Sequence, residues 1–260
     1  MIFKRLLLAA TIALTTAGGA FAAGKEAAPI ENIKFPYDGI FGRFDQAQLQ
    51  RGLQVYTQVC AGCHGLQYVA FRTLSDPQGP ALSEEQLKAY LENFEIYDET
   101  IDDFRVATPA DHFPGSAVEN APDLTLMAKA RGVYHDGIGF TKLVNGIGGP
   151  EYIAQLLQSY TDEIKEEAGA VLYQNKSYPG EWIAMGQPLW GDDVEYTDGT
   201  EATIQQQAED VAAFLMWTAE PGLMARKTWG LIMVGLLGVL AVLLFLTNKA
   251  LWRDVKYSDE

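Results

Sequence analysis

Cysteine and histidine are scarce in this 260-residue chain, which has two cysteines, Cys60 and Cys63, and three histidines, His64, His112 and His135. Two thiols leave no second pair to complete a four-ligand zinc site, and His112 and His135 lack finger-like spacing. Positive charge is also short: 19 basic residues stand against 34 acidic ones, a net −15. The first 22 residues and those after 225 are each net +2, so residues 23–225 carry −19. A body of that charge repels polyanions and steers basic partners toward itself, which makes nucleic acid an unfit ligand. The glycines of GIGFTKLVNGIGG (137–149) include no Lys followed by Ser or Thr, so this is no phosphate-binding loop. Alternating strands, internal repeats and low-complexity tracts beyond the N-terminal leader are missing too.

What the chain does have is Cys60-Ala61-Gly62-Cys63-His64. Two thiols three positions apart at the end of a helix point the same way and can add across the two vinyl groups of a haem, with the adjacent imidazole offered to the iron. The motif therefore reads as a c-type haem attachment site. A thioredoxin-like redox pair and a disulfide are the rivals, but a redox pair follows a strand of a βαβ unit, and the sequence before Cys60 is helical in pattern. Residues 1–22 supply an export signal, with Lys4 and Arg5, an apolar run from Leu6 to Leu14 and the small-residue end Ala20-Phe21-Ala22. Export suits haem attachment, which in bacteria happens outside the cytoplasm.

A second apolar run is longer. The 18 residues from Trp229 to Leu246 (WGLIMVGLLGVLAVLLFL) would span about 27 Å as a helix, close to the hydrocarbon thickness of a bilayer. Arg226 and Lys227 flank one end; Lys249, Arg253 and Lys256 flank the other, with Trp229 and Trp252 as interfacial anchors. Every face is apolar, which argues against a core helix. The organisation expected is a cleaved signal (1–22), an exported domain (23–225), a transmembrane helix with its flanks (226–250) and a cytoplasmic tail (251–260).

Within the exported domain, Asp45 with Gln48 three positions on resembles a capping box. Leu49, Leu53, Tyr56, Cys60 and Cys63 then recur at helical spacing, which puts both cysteines on a buried face beside ordinary core residues. Residues 84–95 read as helix. Asp98-Glu99-Thr100-Ile101-Asp102-Asp103, with Glu92 and Glu95 before it, is either a solvated face or a dock for a basic partner. Pro122 and Asp123 open a short helix carrying Leu124, Met127, Ala128 and Arg131. Arg131 suits a buried haem propionate, which needs a charge-assisted partner, although a solvated helix-end arginine reads equally well. PEYIAQLLQSY is a further helix, and residues 161–200, rich in Gly, Pro, Asp and Glu, read largely as loop. Ile204, Ala208, Val211, Leu215 and Thr218 mark a last helix, ended by Pro221 and Gly222. Two long helices, one bearing Cys-x-x-Cys-His and one near the domain's end, frame the small cytochrome c fold.

His64 needs a partner across the iron. Met233 lies in the apolar run and Met224 beside it, Met216 sits in a packing helix, and Met127 is on a short helix with other roles; His112 lies in a surface loop. Met185 stands in the apolar loop Trp182–Leu189, bounded by Gly186 and Pro188, where a thioether can approach a metal free of helix geometry. A gap-filling core methionine is its bland alternative.

The segments GIFGRFDQAQLQRGLQVYTQVCAGCH, ENAPDLTLMAKAR, NGIGGPEY, WIAM and EDVAAFLMWTAEPGLMARK together resemble the cytochrome c1 family, the membrane-anchored haem subunits of the bacterial cytochrome bc1 complex. The resemblance runs through essentially all of the chain after the signal. It implies a mainly α fold: a class I cytochrome c-like haem domain with long loop insertions, plus one C-terminal transmembrane helix. It also implies one covalently bound haem c on Cys60 and Cys63, axial ligands His64 and Met185, Arg131 facing a propionate, and Asn120, Pro122 and Tyr134 lining the pocket. The implied partners are cytochrome b and the Rieske iron–sulfur subunit, with a basic or partly basic cytochrome c as electron acceptor. The implied location is the bacterial inner membrane, haem domain periplasmic. The chain would be an electron-transfer subunit of ubiquinol–cytochrome c oxidoreductase with no catalytic site of its own. A different tethered c-type shuttle or oxidase-associated cytochrome is the nearest alternative. Two departures stand out: Met185 is followed by Gly-Gln-Pro where relatives often show prolines, and the chain lacks the extra cysteine pair that braces this loop in some bacterial relatives.

Overall fold

The structure, a computed structural model, describes residues 28–132 and 146–256. The export signal, Tyr134, His135 and most of the glycine-rich stretch lie outside the described residues.

Helix α1 (Gln46–Val55) starts where the Asp45 carboxylate accepts the amides of Ala47 and Gln48 at 2.9 and 3.2 Å, satisfying two orphan donors of the first turn. Its buried residues Leu49, Gly52, Leu53 and Val55 form one stripe. The helix then widens into a π-helical segment, Tyr56–Cys60, in which Ala61 N bonds back five residues to Tyr56 O at 2.8 Å. That wider turn shifts the following residues around the axis. Cys60 closes this segment, half-buried, while Cys63 falls in the turn beyond it; the expectation that both lie on one helix is corrected for Cys63.

Helix α5 (Ile204–Ala219), capped by the Thr203 hydroxyl on Gln206 N, is buried on every side from Val211 to Ala219. It crosses α1 at Gly52, where a Cβ would meet Asp210 O at 2.1 Å and Phe214 Cβ at 2.6 Å. Only glycine lets the two backbones approach so closely. Beside the crossing, Arg51 Nε reaches Asp210 Oδ2 and Nη1 reaches Asp198 Oδ2, both at 2.8 Å, with Asp210 fully buried. A pair of this kind fixes the register of two helices more than it stabilises them. Leu49, Tyr56, Phe214 and Trp217 are all within 1% of full burial, each contributing roughly 1.5–3 kcal/mol by removal from water. A ring cluster of Phe71, Tyr90, Phe94 and Phe113 extends the core away from the crossing.

The smaller elements depart from expectation in three places. Helix α2 (Glu84–Leu91), started by a reciprocal Ser83–Gln86 capping box, ends four residues early. The chain instead forms an antiparallel hairpin, β1 (Glu95–Asp98) with β2 (Asp103–Val106). The Asp98–Asp103 run is therefore a hairpin tip, and Asp98 and Asp111 are both paired with Arg105, at 2.8 and 2.7 Å. The helix expected from Pro122 is only the single turn α3 (Met127–Ala130), because Asp123 bonds loop amides. Part of the segment expected to be loop after 160 is a sheet of β3 (Tyr160–Glu167), β4 (Ala170–Asn175) and β5 (Trp182–Ile183). Most of β3 is charged and poorly buried, with no apolar alternation to announce it.

Helix α4 (Gly149–Gln158) packs against α5 and α3. Its Glu151 is 1% exposed, and neither carboxylate oxygen makes a full hydrogen bond. Gly146, at φ 84°, threads between Glu151 Oε1 and Asp38 Oδ1. Helix α6 (Leu223–Lys256) follows the turn at Pro221-Gly222 and includes a span, Leu223–Arg253, whose most apolar window has a mean hydropathy of 2.7 and no buried residue. The helix thus begins ahead of Trp229. At its start Lys227 Nζ donates to the carbonyls of Tyr37, Gly39 and Gly42, and Arg226 and Lys129 both pair with Glu220. The loop around Tyr37 is thereby clasped between α4 and the root of α6.

Burial first, then the charge of Asp38, pushes the Glu151 carboxyl up to about 7, the nearby amides of Glu151 and Gly148 opposing. Below the ordinary value of 4.5 both folded and unfolded chains hold the proton and stability is full; as pH rises toward 7 the unfolded chain releases it first and stability falls. Glu151→Gln should therefore melt higher than the parent at pH 8, by the equivalent of on the order of 2–3 kcal/mol. The gap should close toward pH 4.5; thermal melts across this range check it.

Candidate haem site

The π-helical segment delivers the motif to a tight turn, in which Cys60 O accepts the amides of Cys63 and His64 at 3.1 and 2.9 Å. The strap that follows is laced to residues 113–125. Gly65 N donates to Ser116 Oγ, Leu66 N to Pro114 O, Gln67 N to Asp123 Oδ2, and Leu124 N to Gly65 O. This lacing brings Pro122 over His64: the Nδ1 of His64 lies 2.8 Å from Pro122 O. A carbonyl can only accept, so Nδ1 carries the proton and Nε2 keeps its lone pair, the tautomer and ring orientation a metal-ligating histidine requires. The backbone carbonyl of His64 in turn accepts from Tyr56 OH at 3.0 Å.

Of the other residues singled out from the sequence, Asn120 is exposed, two positions before Pro122. Arg131 closes α3, its guanidinium 5.6 Å from the centre of the Tyr152 ring, a cation–π distance. Tyr134 lies outside the described residues. Met185 is half-buried against the core, just past β5, and its carbonyl accepts from Tyr160 OH at 3.1 Å. Gly186 rests against the Tyr173 ring, where a Cβ would lie 3.5 Å from the nearest ring atoms. Met216 and Met224 are buried at 3% and 7% exposure, and Met233 lies on the outward-facing apolar helix, as expected of residues with other duties. His112 is exposed and bridges Ala70 through its backbone.

The donor set suits a haem c. The two thiols are not joined to each other, and Cys60, like half-buried Val59, Ala61, Leu124, Met127, Ile147 and Met185, packs against the apolar core. Burial, and then the neighbouring Cys63, pushes the Cys60 thiol up to about 12. One contributor went unread in the sequence: Tyr56, whose helical spacing marks it as core although its hydroxyl was the available signal. Pro122, implied by the resemblance as a pocket residue, meets His64 through its main chain, a contact that residue type does not reveal.

A helix ending in Cys-x-x-Cys-His, crossed by a terminal helix and followed by an apolar one, defines a class I cytochrome c-type domain. The Cytochrome C1 family profile matches residues 35–255. A cytochrome c1 from Cereibacter sphaeroides is 49% identical over 280 aligned positions, covering 98% of both chains. One from Rhodospirillum rubrum is 38% identical over 288 positions, covering 98% of this chain and 99% of that one. The mitochondrial cytochrome c1 haem protein of Saccharomyces cerevisiae is 38% identical over 239 positions, covering 85% and 71%. The chain belongs to the cytochrome c1 family, the haem c electron-transport subunits of the bc1 complex.

Asp123 holds both sides of the strap, through Gln67 N at 2.8 Å and Thr125 N at 2.9 Å. Asp123→Ala leaves two amides without that partner and should cost about 1–3 kcal/mol, read as a lower denaturant midpoint of the holoprotein.

Proposed function

We propose that the chain is a single-pass membrane cytochrome that takes single electrons from a Rieske iron–sulfur subunit and delivers them to a cytochrome c, with cytochrome b as its neighbour in the membrane. Cys60 and Cys63 would hold one haem c through thioether bonds, with His64 and Met185 as the residues that would ligate its iron. Arg131 faces a propionate, and Asn120, Pro122 and Tyr134 line the pocket. The observation that carries this reading is the Nδ1 of His64 on Pro122 O at 2.8 Å, beside two unjoined thiols.

When bound, the haem supplies a one-electron ferrous–ferric couple whose potential a thioether ligand raises. The chain's own residues bind, orient and shield. Pro122 sets the tautomer of His64, Tyr56 and Asp123 hold the strap, and Met185 closes the position an exchangeable ligand would use. No acid–base group is required for this job.

Residues 1–22 are a cleaved export signal, 23–225 the periplasmic domain, 226–250 the membrane helix with its flanks, and 251–260 a cytoplasmic tail. The outward-facing apolar side chains of the long α6 support a single span. The acidic surface suits a basic acceptor. Asp98 is taken up by Arg105, so the face available for docking is drawn from the exposed Glu92, Glu95, Glu99 and Asp103.

Met185→Leu should abolish the near-infrared band of methionine-ligated ferric haem and lower the reduction potential, while a covalent haem stain after denaturing electrophoresis stays positive. An unchanged band overturns the ligand assignment, and a blank stain of the parent protein overturns the haem attachment. Changing Glu92, Glu95, Glu99 and Asp103 together to Lys should slow reduction of a basic cytochrome about tenfold at low salt. That deficit should fade at high ionic strength; equal rates at low salt return these carboxylates to a solvated face.

A further inference from the structure

The loop carrying Met185 is held from one side by the small β-sheet, although the chain has no cysteine beyond the attachment pair with which to brace it. Strand β5 pairs with β4 through only Tyr173–Ile183 and Gln174–Trp182, and Met185 lies two residues past that pairing. Upstream, the turn between β4 and β5 is tied down by the fully buried Asn175. Its amide nitrogen Nδ2 donates to Leu156 O at 2.7 Å, its backbone N to Glu181 O at 2.8 Å, and its Oδ1 accepts from Ser177 N at 3.0 Å. Downstream, Gln187 Nε2 donates to Leu189 O at 2.8 Å, and Leu189 is 1% exposed. Between those anchors, where Met185 also packs on the core, the main chain at Met185 and Gly186 meets two tyrosines, Tyr160 from β3 and Tyr173 from β4. A register irregularity separates Tyr160 from Ile164 in β3, and bulges of this kind re-aim side chains. The Tyr160 hydroxyl is itself shielded, burial holding it well above the ordinary phenol range.

We propose that Tyr160 and Tyr173 are positioning residues for the sixth ligand: together they hold the main chain at Met185–Gly186 so that the thioether stays on the iron. The inference rests on Met185 being that ligand. Methionine has three freely rotating side-chain bonds and a weakly basic sulfur, so the fixity of its backbone decides how often the sulfur is in place. A single phenol-to-carbonyl hydrogen bond supports a ratio of closed to open loop that is about two- to tenfold higher than without it.

Tyr160→Phe keeps the ring and removes only the donor. In the ferrous holoprotein it should raise carbon monoxide affinity about two- to tenfold, and in the ferric form lower the pH at which the near-infrared methionine band is lost. Tyr173→Leu, which removes the ring that Gly186 rests against, should move both readouts in the same direction. Tyr97→Phe, on the exposed β1–β2 hairpin, should move neither. Wild-type carbon monoxide affinity and an unshifted band in both Tyr160→Phe and Tyr173→Leu, with Met185→Leu losing the band, overturn the positioning role alone. A Met185→Leu protein that keeps the band overturns the ligand reading beneath it. A lower melting temperature without a change in either readout assigns the tyrosines to fold stability and also overturns the proposal.

Discussion

The close crossing of α1 and α5 at Gly52 is the constraint on which the other features depend. With no side chain between the backbones, Phe214 and Asp210 sit directly against α1, and the Arg51–Asp210 pair fixes how far the helices slide. The attachment motif hangs from the C-terminal end of α1, while α5 leads within a few residues into α6. One contact therefore sets both where the haem-binding turn points and where the apolar helix departs. A side chain at position 52 would part the helices and displace both ends together.

From that crossing the site is completed by main-chain lacing. The strap after His64 bonds to residues 113–125 through carbonyls, amides and one carboxylate, and the result is a proline carbonyl at the imidazole. The side of the domain carrying Met185 is built differently, from a three-stranded sheet whose short last strand ends just before the methionine. The two halves of the site are thus held differently: a turn laced by main-chain bonds on one side, a loop held by a short strand pairing and side-chain contacts on the other. An electron carrier benefits from such holding, because small reorganisation between oxidation states requires ligands that do not move.

The root of α6 shows how the long apolar helix is joined to the rest of the chain by side-chain contacts. Lys227 lies among three carbonyls of the loop at 37–42, and Glu220 gathers Arg226 and Lys129. The same loop presents Asp38 to the buried Glu151 at the start of α4. A carboxyl group kept near neutrality in its titration is thus part of the joint, and the junction's stability depends on proton activity.

Much of this was legible in the residues alone. The two framing helices follow from periodicity at Leu49–Leu53 and Ala208–Leu215, and an 18-residue apolar run needs no fold to declare itself. These are local properties, encoded over a few turns of chain. The tertiary structure decided the rest. The π-helical segment that puts Cys63 in a turn beyond the helix has no sequence signature, since it reflects how α1 must end to meet the strap. The carbonyl at His64 comes from a residue 58 positions away and is identical in every amino acid type. Strand β3 is charged along most of its length, so its pairing was invisible until its partner was in place. Non-local main-chain bonds carry no residue identity, and for that reason only the folded chain could reveal what orients His64 and the loop at Met185.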